Sequence, residues 1–213
     1  MISTVWLLAS AVALLGYLFG SFPAGYLAGR ITGVDIREEG SGNIGATNVL
    51  RVLGKRWGYA VFFADAFKGF AVVRIILFVT ERLTFPHASA EYFGILAAVS
   101  CVAGHSFPIW LRFKGGKGVA TSAGALFGLM PLAVVTVFLV WLIIFETTRY
   151  VSVASIVAAS SLPIVVALFM RWKLVEGIGL LYLSIVMTIL VIWRHRSNFS
   201  RLRSGTEQRF TRK

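Results

Sequence analysis

Six long apolar runs, residues 5–28, 57–79, 92–111, 119–145, 151–170 and 174–193, alternate with short polar segments along the chain. About 20 apolar residues is the length of a helix that crosses a bilayer, so the pattern predicts membrane-spanning helices. The first run has no Lys or Arg before it and therefore lacks the basic segment of a cleaved signal peptide; it is expected to be a retained span. The run 119–145 holds Gly128 and Pro131. Proline removes a helical donor and clashes with the preceding turn, so a break is predicted at 128–131. Each half is then shorter than the roughly 20 residues of a full span and needs neighbouring helices around it.

The charges set the orientation. Arg30, Arg37, Arg51, Lys55 and Arg56 outnumber Asp35, Glu38 and Glu39 in the first long loop, which the positive-inside rule places in the cytoplasm. Glu81, Arg82 and Glu91 mark an outer loop, and Arg112, Lys114 and Lys117 return to the inner side. The tail carries Arg194, Arg196, Arg201, Arg203, Arg209, Arg212 and Lys213 against a single Glu207, so it too belongs inside. An unbroken run 119–145 would leave that tail outside; a break restores parity. The expectation is an all-α polytopic integral membrane protein, one domain over residues 1–213, with seven transmembrane helices, the N-terminus outside and the C-terminus cytoplasmic. One long tilted helix with six crossings is the alternative.

Composition narrows the chemistry. With 57% hydrophobic and 14% charged residues and a mean hydropathy of +0.80, a soluble globular surface is excluded. The net charge of +12 lies in clusters beside the spans, which is a topology signal and argues against nucleic acid as a partner. Cys101, the one cysteine, sits in an apolar run, and His87, His105 and His195 are scattered with no acidic cluster. No metal or other cofactor is expected.

In this topology the polar segments 40–51, 104–118, 149–155 and 194–207 all fall at the cytoplasmic face. The first contains Gly40-Ser41-Gly42-Asn43-Ile44-Gly45-Ala46-Thr47-Asn48 and then Arg51. Its G-x-G-x-x-G is no dinucleotide fingerprint, because it lies between membrane spans with no strand before it. Glycines let backbone N–H groups converge on an anion; Ser41, Asn43, Thr47 and Asn48 add polar donors, and Arg51 can grip a phosphate through two parallel hydrogen bonds. The second segment holds Gly104-His105 and the run Phe113-Lys114-Gly115-Gly116-Lys117-Gly118. It is not a P-loop, since Leu111 stands where a glycine is required, yet Lys117 between Gly116 and Gly118 at a helix start makes an anion site. Lys114 reads as a topology flank. His105 suits structural hydrogen bonding and chemistry equally, while Asp65 and Lys68, spaced i, i+3, read as a self-neutralising structural pair. His195 and Asn198 share a face if the last helix continues through them, and most tail arginines read as anchors to anionic lipid.

These four motifs, with Arg149-Tyr150-Val151-Ser152 and Ser155 as the third, resemble in order those of the bacterial acyl-phosphate:glycerol-3-phosphate acyltransferases, the PlsY family. Phe199 replaces the Ile more usual there, and the tail runs slightly longer. The resemblance implies an enzyme of the bacterial inner membrane, active at its cytoplasmic face. It would transfer an acyl chain from acyl phosphate to the 1-hydroxyl of glycerol 3-phosphate, giving lysophosphatidic acid and phosphate as the first step of phospholipid synthesis. It further implies that neither coenzyme A nor a metal is required and that the chain acts as a monomer. By the same resemblance Arg51, Lys117, Ser155, Asn198 and His195 hold the glycerol phosphate or the reacting centre, while Ser41, Thr47 and the Gly115 and Gly116 amides hold the acyl phosphate. Asn43 belongs to the substrate-binding set, and His195, Lys117 and Ser41 are the expected catalytic residues.

No histidine has an Asp five positions on, so the His-x4-Asp general base of other acyltransferases is absent. The resemblance implies that the substrate's own phosphate takes the proton, leaving His195 to orient or polarise. A transporter of phosphorylated molecules would also want cations at glycine-rich loops, but it needs polar groups reachable from both faces, and the outer loops offer almost none. A transferase using a nucleotide-linked donor would want a run of aspartates, and only Asp35 and Asp65 exist.

Overall fold

The structure, a computed structural model, describes residues 2–83 and 87–210, and all regular elements among them are helical. Arg212, Lys213 and the side chain of His87 lie outside the described residues. The helices are α1 (Ile2–Gly20), α2 (Ala24–Ile31), α3 (Ala46–Leu53), α4 (Lys55–Arg82), α5 (His87–Ser106), α6 (Val119–Leu129), α7 (Pro131–Thr148), α8 (Val151–Arg171), α9 (Ile178–Arg194) and α10 (Arg196–Arg203), with a 3₁₀ turn at Ile109–Leu111.

Among the described residues four stretches are long and apolar enough to cross a membrane: Thr4–Ile31, Ala90–Leu111, Pro131–Thr148 and Val151–Arg171. Ile178–Arg194 with Arg196–Arg203, bent by 49°, makes a fifth if taken as one span. The two other expected crossings fall on α4, which carries Asp65, Lys68 and Arg74, and on α6, of only 11 residues. The break between α6 and α7 lies at Met130, whose φ of −144° and ψ of 70° are not helical, with Pro131 opening α7 where its missing N–H has no partner to lose. The first apolar run is also interrupted, at Ser21–Pro23 between α1 and α2. The last helix does not continue straight through His195, as a shared face with Asn198 would need, but bends there.

The chain divides into two compact units, residues 1–129 and 130–213. In the first, glycines let helices touch backbone to backbone. A Cβ on Gly20 would run into the Cys101 carbonyl and one on Gly104 into that of Tyr17, which brings α1 and α5 together. Gly69 against Thr121 and Gly124 against Ala66 do the same for α4 and α6. In the second unit α8 packs between α7 and α9. Pro163 inside α8 leaves the Ala159 carbonyl without its helical donor, and Thr188 Oγ1 of α9 donates to that carbonyl at 2.6 Å. Phe138, Leu139 and Ile143 of α7 stay exposed, as a lipid-facing surface requires.

Candidate active site

Both glycine-rich loops of the first unit stand on one apolar base. Ile36, Ile44 and Val49, which bracket the first loop, cluster with Ala28, Val61 and Leu111, the last from the 3₁₀ turn of the second loop. That cluster ties the segment carrying Ser41, Asn43, Thr47 and Arg51 to the 3₁₀ turn that precedes Gly115, Gly116 and Lys117 in the chain.

The first loop is shaped by one buried amide. Asn48 Oδ1 accepts from the Ser41 N–H at 2.8 Å, while Asn48 Nδ2 donates to the carbonyls of Ile36 and Glu39 at 3.2 and 3.0 Å. Gly40 and Gly42 take φ of 59° and 68°, in the left-handed region that favours glycine. Asn43 Oδ1 accepts from the Gly45 N–H at 2.8 Å, an Asx turn that launches α3. Thr47 and Arg51 follow on α3 four residues apart, hence on one face. Just upstream, hydrogen bonds from the Arg37 guanidinium and backbone N–H lower the pKa of the Asp35 carboxyl to about 2, and the Arg37 guanidinium lies 4.8 Å from the Tyr26 ring centre.

The second loop turns sharply after α5. Arg112 and Phe113 hold φ of 52° and 63°, unusual for residues with a Cβ and a sign of a tightly determined turn. The Gly116 N–H donates to the His105 carbonyl at 3.2 Å, and a Cβ on Gly116 would stand on His105 Nε2. Lys117 is half-buried and Lys114 exposed, which separates the two lysines as their flanking glycines do. Beneath the loop, Lys68 Nζ donates to Asp65 Oδ1 at 2.7 Å and to the Phe22 carbonyl at 2.9 Å, and lies 3.0 Å from His105 Nδ1. Asp65 and Lys68 are therefore no isolated pair but form a buried trio with His105.

The second unit holds Ser155, His195 and Asn198, all buried. Ser155 Oγ accepts from Trp141 Nε1 at 3.2 Å. His195 Nδ1 lies 2.8 Å from the Val191 carbonyl; an oxygen there can only accept, so Nδ1 carries the proton and a neutral ring presents Nε2 as an acceptor. Glu207 gathers the rest: Oε1 accepts from Ser152 Oγ at 2.7 Å and Asn198 Nδ2 at 2.6 Å, and Oε2 from Arg201 Nε at 2.7 Å. Desolvation pushes the Glu207 carboxyl up, but the hydrogen bonds from Ser152, Asn198 and Arg201 outweigh it and hold it below its ordinary value. The tail reaches this position through a Schellman turn, in which Gly205 (φ 72°) donates to the Leu202 carbonyl and Thr206 to that of Arg201.

Sequence reasoning passed over two of these organisers. Glu207 counted only as the lone acid of a basic tail, and Asn48 as one donor among several. A single carboxylate just after a glycine turn amid arginines was the available signal for the first. Asn48 gave none, since its partners are backbone atoms.

Apolar helices of membrane-crossing length, carrying glycine-rich polar loops, define an integral membrane protein, and comparison with known proteins specifies it further. Residues 10–205 match the family described as Glycerol-3-phosphate acyltransferase. Proteins named glycerol-3-phosphate acyltransferase share 46% identity over 200 residues in Synechococcus elongatus (93% of both chains) and 43% over 204 residues in Geobacter sulfurreducens (96% of this chain, 97% of that one). A crystal structure of PlsY, an integral membrane glycerol 3-phosphate acyltransferase in its glycerol 3-phosphate form, superposes with a TM-score of 0.84 at 39% identity, covering 95% of this chain and 96% of that one. Its lysophosphatidic acid form gives 0.82 at 38% identity, covering 95% of each. The chain belongs to the glycerol-3-phosphate acyltransferase family of PlsY type, and it is a membrane acyltransferase.

Proposed function

We propose that the protein transfers a fatty acyl group from acyl phosphate to the 1-hydroxyl of glycerol 3-phosphate at the cytoplasmic face of a bacterial inner membrane. The support that carries this reading is the pair of solved relatives, one in a glycerol 3-phosphate form and one in a lysophosphatidic acid form, matched over 95% of this chain. In the reaction the glycerol O1 attacks the acyl carbon, a C–O bond forms, the bond to the phosphate breaks, and the hydroxyl proton leaves with the phosphate. An acyl phosphate is already an activated mixed anhydride, so what the protein supplies is position and charge.

Ser41, Thr47 and the Gly115–Gly116 backbone hold the acyl phosphate. The Gly116 amide is bonded to the His105 carbonyl, so that residue serves by its bare α-carbon edge or by exchanging a 3.2 Å bond. Asn43 keeps the first loop in shape. Arg51, Lys117, Ser155 and Asn198 hold the glycerol phosphate and the reacting centre. His195 orients the attacking hydroxyl by accepting its hydrogen bond at Nε2; an electrophilic role would require the imidazolium, because Nδ1–H is committed to Val191. The chain works in this reading as one functional monomer of seven crossings, N-terminus outside, with no need of coenzyme A or metal.

The deciding assay is phosphate release by purified protein given palmitoyl phosphate and glycerol 3-phosphate, with Lys117→Ala beside wild type and no metal or coenzyme A added. Release that needs both substrates and is lost in the variant is expected. Folded wild-type protein that releases none would overturn the reading, and uptake of glycerol 3-phosphate into liposomes would then test the transporter.

A further inference from the structure

Asp65, Lys68 and His105 are buried ionisable groups to which the reaction above assigns nothing. We propose that Lys68 and Asp65 fix His105 as a neutral imidazole with its proton on Nε2, and that this N–H is a direct ligand of the phosphoryl oxygens of the acyl phosphate. The proposal rests on the reading that the Gly115–Gly116 segment holds that substrate.

The tautomer follows from counting. An ammonium has three N–H donors and no acceptor. Lys68 Nζ meets three partners, the Phe22 carbonyl at 2.9 Å, Asp65 Oδ1 at 2.7 Å and His105 Nδ1 at 3.0 Å. His105 Nδ1 also lies 3.4 Å from Asp65 Oδ1, a longer contact than the 3.0 Å to Lys68 Nζ, so Nδ1 is taken as acceptor of the closer ammonium N–H and the ring proton is placed on Nε2. Charge agrees with this count. The Asp65 carboxylate and the Lys68 ammonium cancel, whereas an imidazolium would add an uncompensated charge in a buried place.

The direction follows from packing. Nε2 occupies the place a Gly116 Cβ would need, so the protonated edge of the ring lies against the loop at the point where a side chain is missing. The other end of the residue is tied to the same loop, because the His105 carbonyl accepts from the Gly116 N–H at 3.2 Å. No described residue accepts from Nε2. The neighbouring Ser106 Oγ, buried and also without a protein partner, lies 3.3 Å from where a Cβ on Gly118 would stand. Two hydroxyl or imidazole donors thus face the glycine loop unspent, which is the inventory a phosphoryl group requires. Asp65 and Lys68 act through His105 and are positioning residues.

Two measurements test this. Nitrogen-15 histidine NMR of the intact wild-type protein in lipid nanodiscs is expected to show His105 with the Nε2–H tautomer, and hexadecylphosphonate is expected to move that resonance; a proton on Nδ1, or no response to the phosphonate, overturns the proposal without any variant having to fold. In steady-state kinetics, His105→Leu is expected to raise the KM for palmitoyl phosphate about tenfold, the effect of losing one hydrogen bond to a charged group, while the KM for glycerol 3-phosphate stays put. His105→Gln, which keeps an N–H at the ε position, is expected to recover most of the loss. A merely structural histidine would affect both substrates alike. If Ser41→Ala weakens palmitoyl phosphate and His105→Leu does not, the histidine proposal alone is wrong. If neither variant affects the acyl donor and both affect glycerol 3-phosphate, the assignment of the loops has failed and the proposal falls with it.

Discussion

Asn198 donates its side-chain amide to the Glu207 carboxylate at 2.6 Å, on the same oxygen that accepts from Ser152 of α8 at 2.7 Å. One tail residue thereby sets the positions of side chains on two helices. Because the folded carboxyl lies below its ordinary 4.5, the unfolded chain binds the proton more tightly. The stabilisation is therefore fully present above about pH 4.5 and is lost as pH falls through the lower folded value. Glu207→Gln should cost about 1.5–3 kcal/mol at neutral pH, as a charged acceptor is replaced by a neutral one that cannot serve all three donors. Thermal unfolding of both proteins between pH 7 and pH 3 measures this. The gap in melting temperature should close on acidification, and a gap independent of pH would contradict the carboxylate's role.

Gly40 should tolerate no side chain. Its φ of 59° is costly for alanine, by about 1–2 kcal/mol, and the added Cβ would meet Asn48 Oδ1, the atom that holds the Ser41 N–H. Gly40→Ala is expected to leave the protein folded on the Ile36, Ile44 and Val49 cluster while lowering turnover at least tenfold. Asn48→Ala should be worse for stability, since it leaves the carbonyls of Ile36 and Glu39 without their donor, at about 1–3 kcal/mol for a buried unsatisfied group. Purified yield and phosphate release, measured together, separate the two effects.

His195 is expected to matter for turnover more than for binding. With Nδ1–H held by the Val191 carbonyl at 2.8 Å, the proposed role of a neutral His195 ring is to accept at Nε2. His195→Ala should lower kcat about 10²-fold, the lower end of what a well-placed proton partner contributes. His195→Gln places a polar atom near the same point and should fall between the two. An alanine variant with wild-type turnover at saturating substrate would remove His195 from the chemistry.

What could be read in the sequence was what is local. Pro131 and Gly128 foretold the interruption realised at Met130, because a missing helical donor acts within one turn. Pro23 held the same information for the interruption between α1 and α2, but the uninterrupted apolar run hid it. The bend at His195 has neither proline nor glycine to mark it. Glycine-rich loops and their cations were equally plain, since each motif is contiguous. The links between motifs were not: Lys68 meets His105 across 37 positions and Ser152 meets Glu207 across 55. A side-chain hydrogen bond at such separation leaves no periodicity, so Asp65 and Lys68 looked like a closed pair until His105 stood beside them.

The direction in which the chain crosses the membrane has a clean test, because Cys101 is the only cysteine and is fully buried. An exposed probe cysteine is then the one site a membrane-impermeant maleimide can reach. Ser204→Cys lies on the exposed turn after α10, and Leu83→Cys on the exposed end of α4. Seven crossings with the tail inside require labelling of Ser204→Cys in inside-out vesicles but not in intact cells, and the reverse for Leu83→Cys. The break at Met130 is what separates this result from the alternative. If α6 and α7 crossed as a single tilted helix, the tail would change sides while Leu83 kept its own, and both probes would label from outside. That outcome would leave six crossings with the C-terminus outside and would overturn the seven crossings proposed.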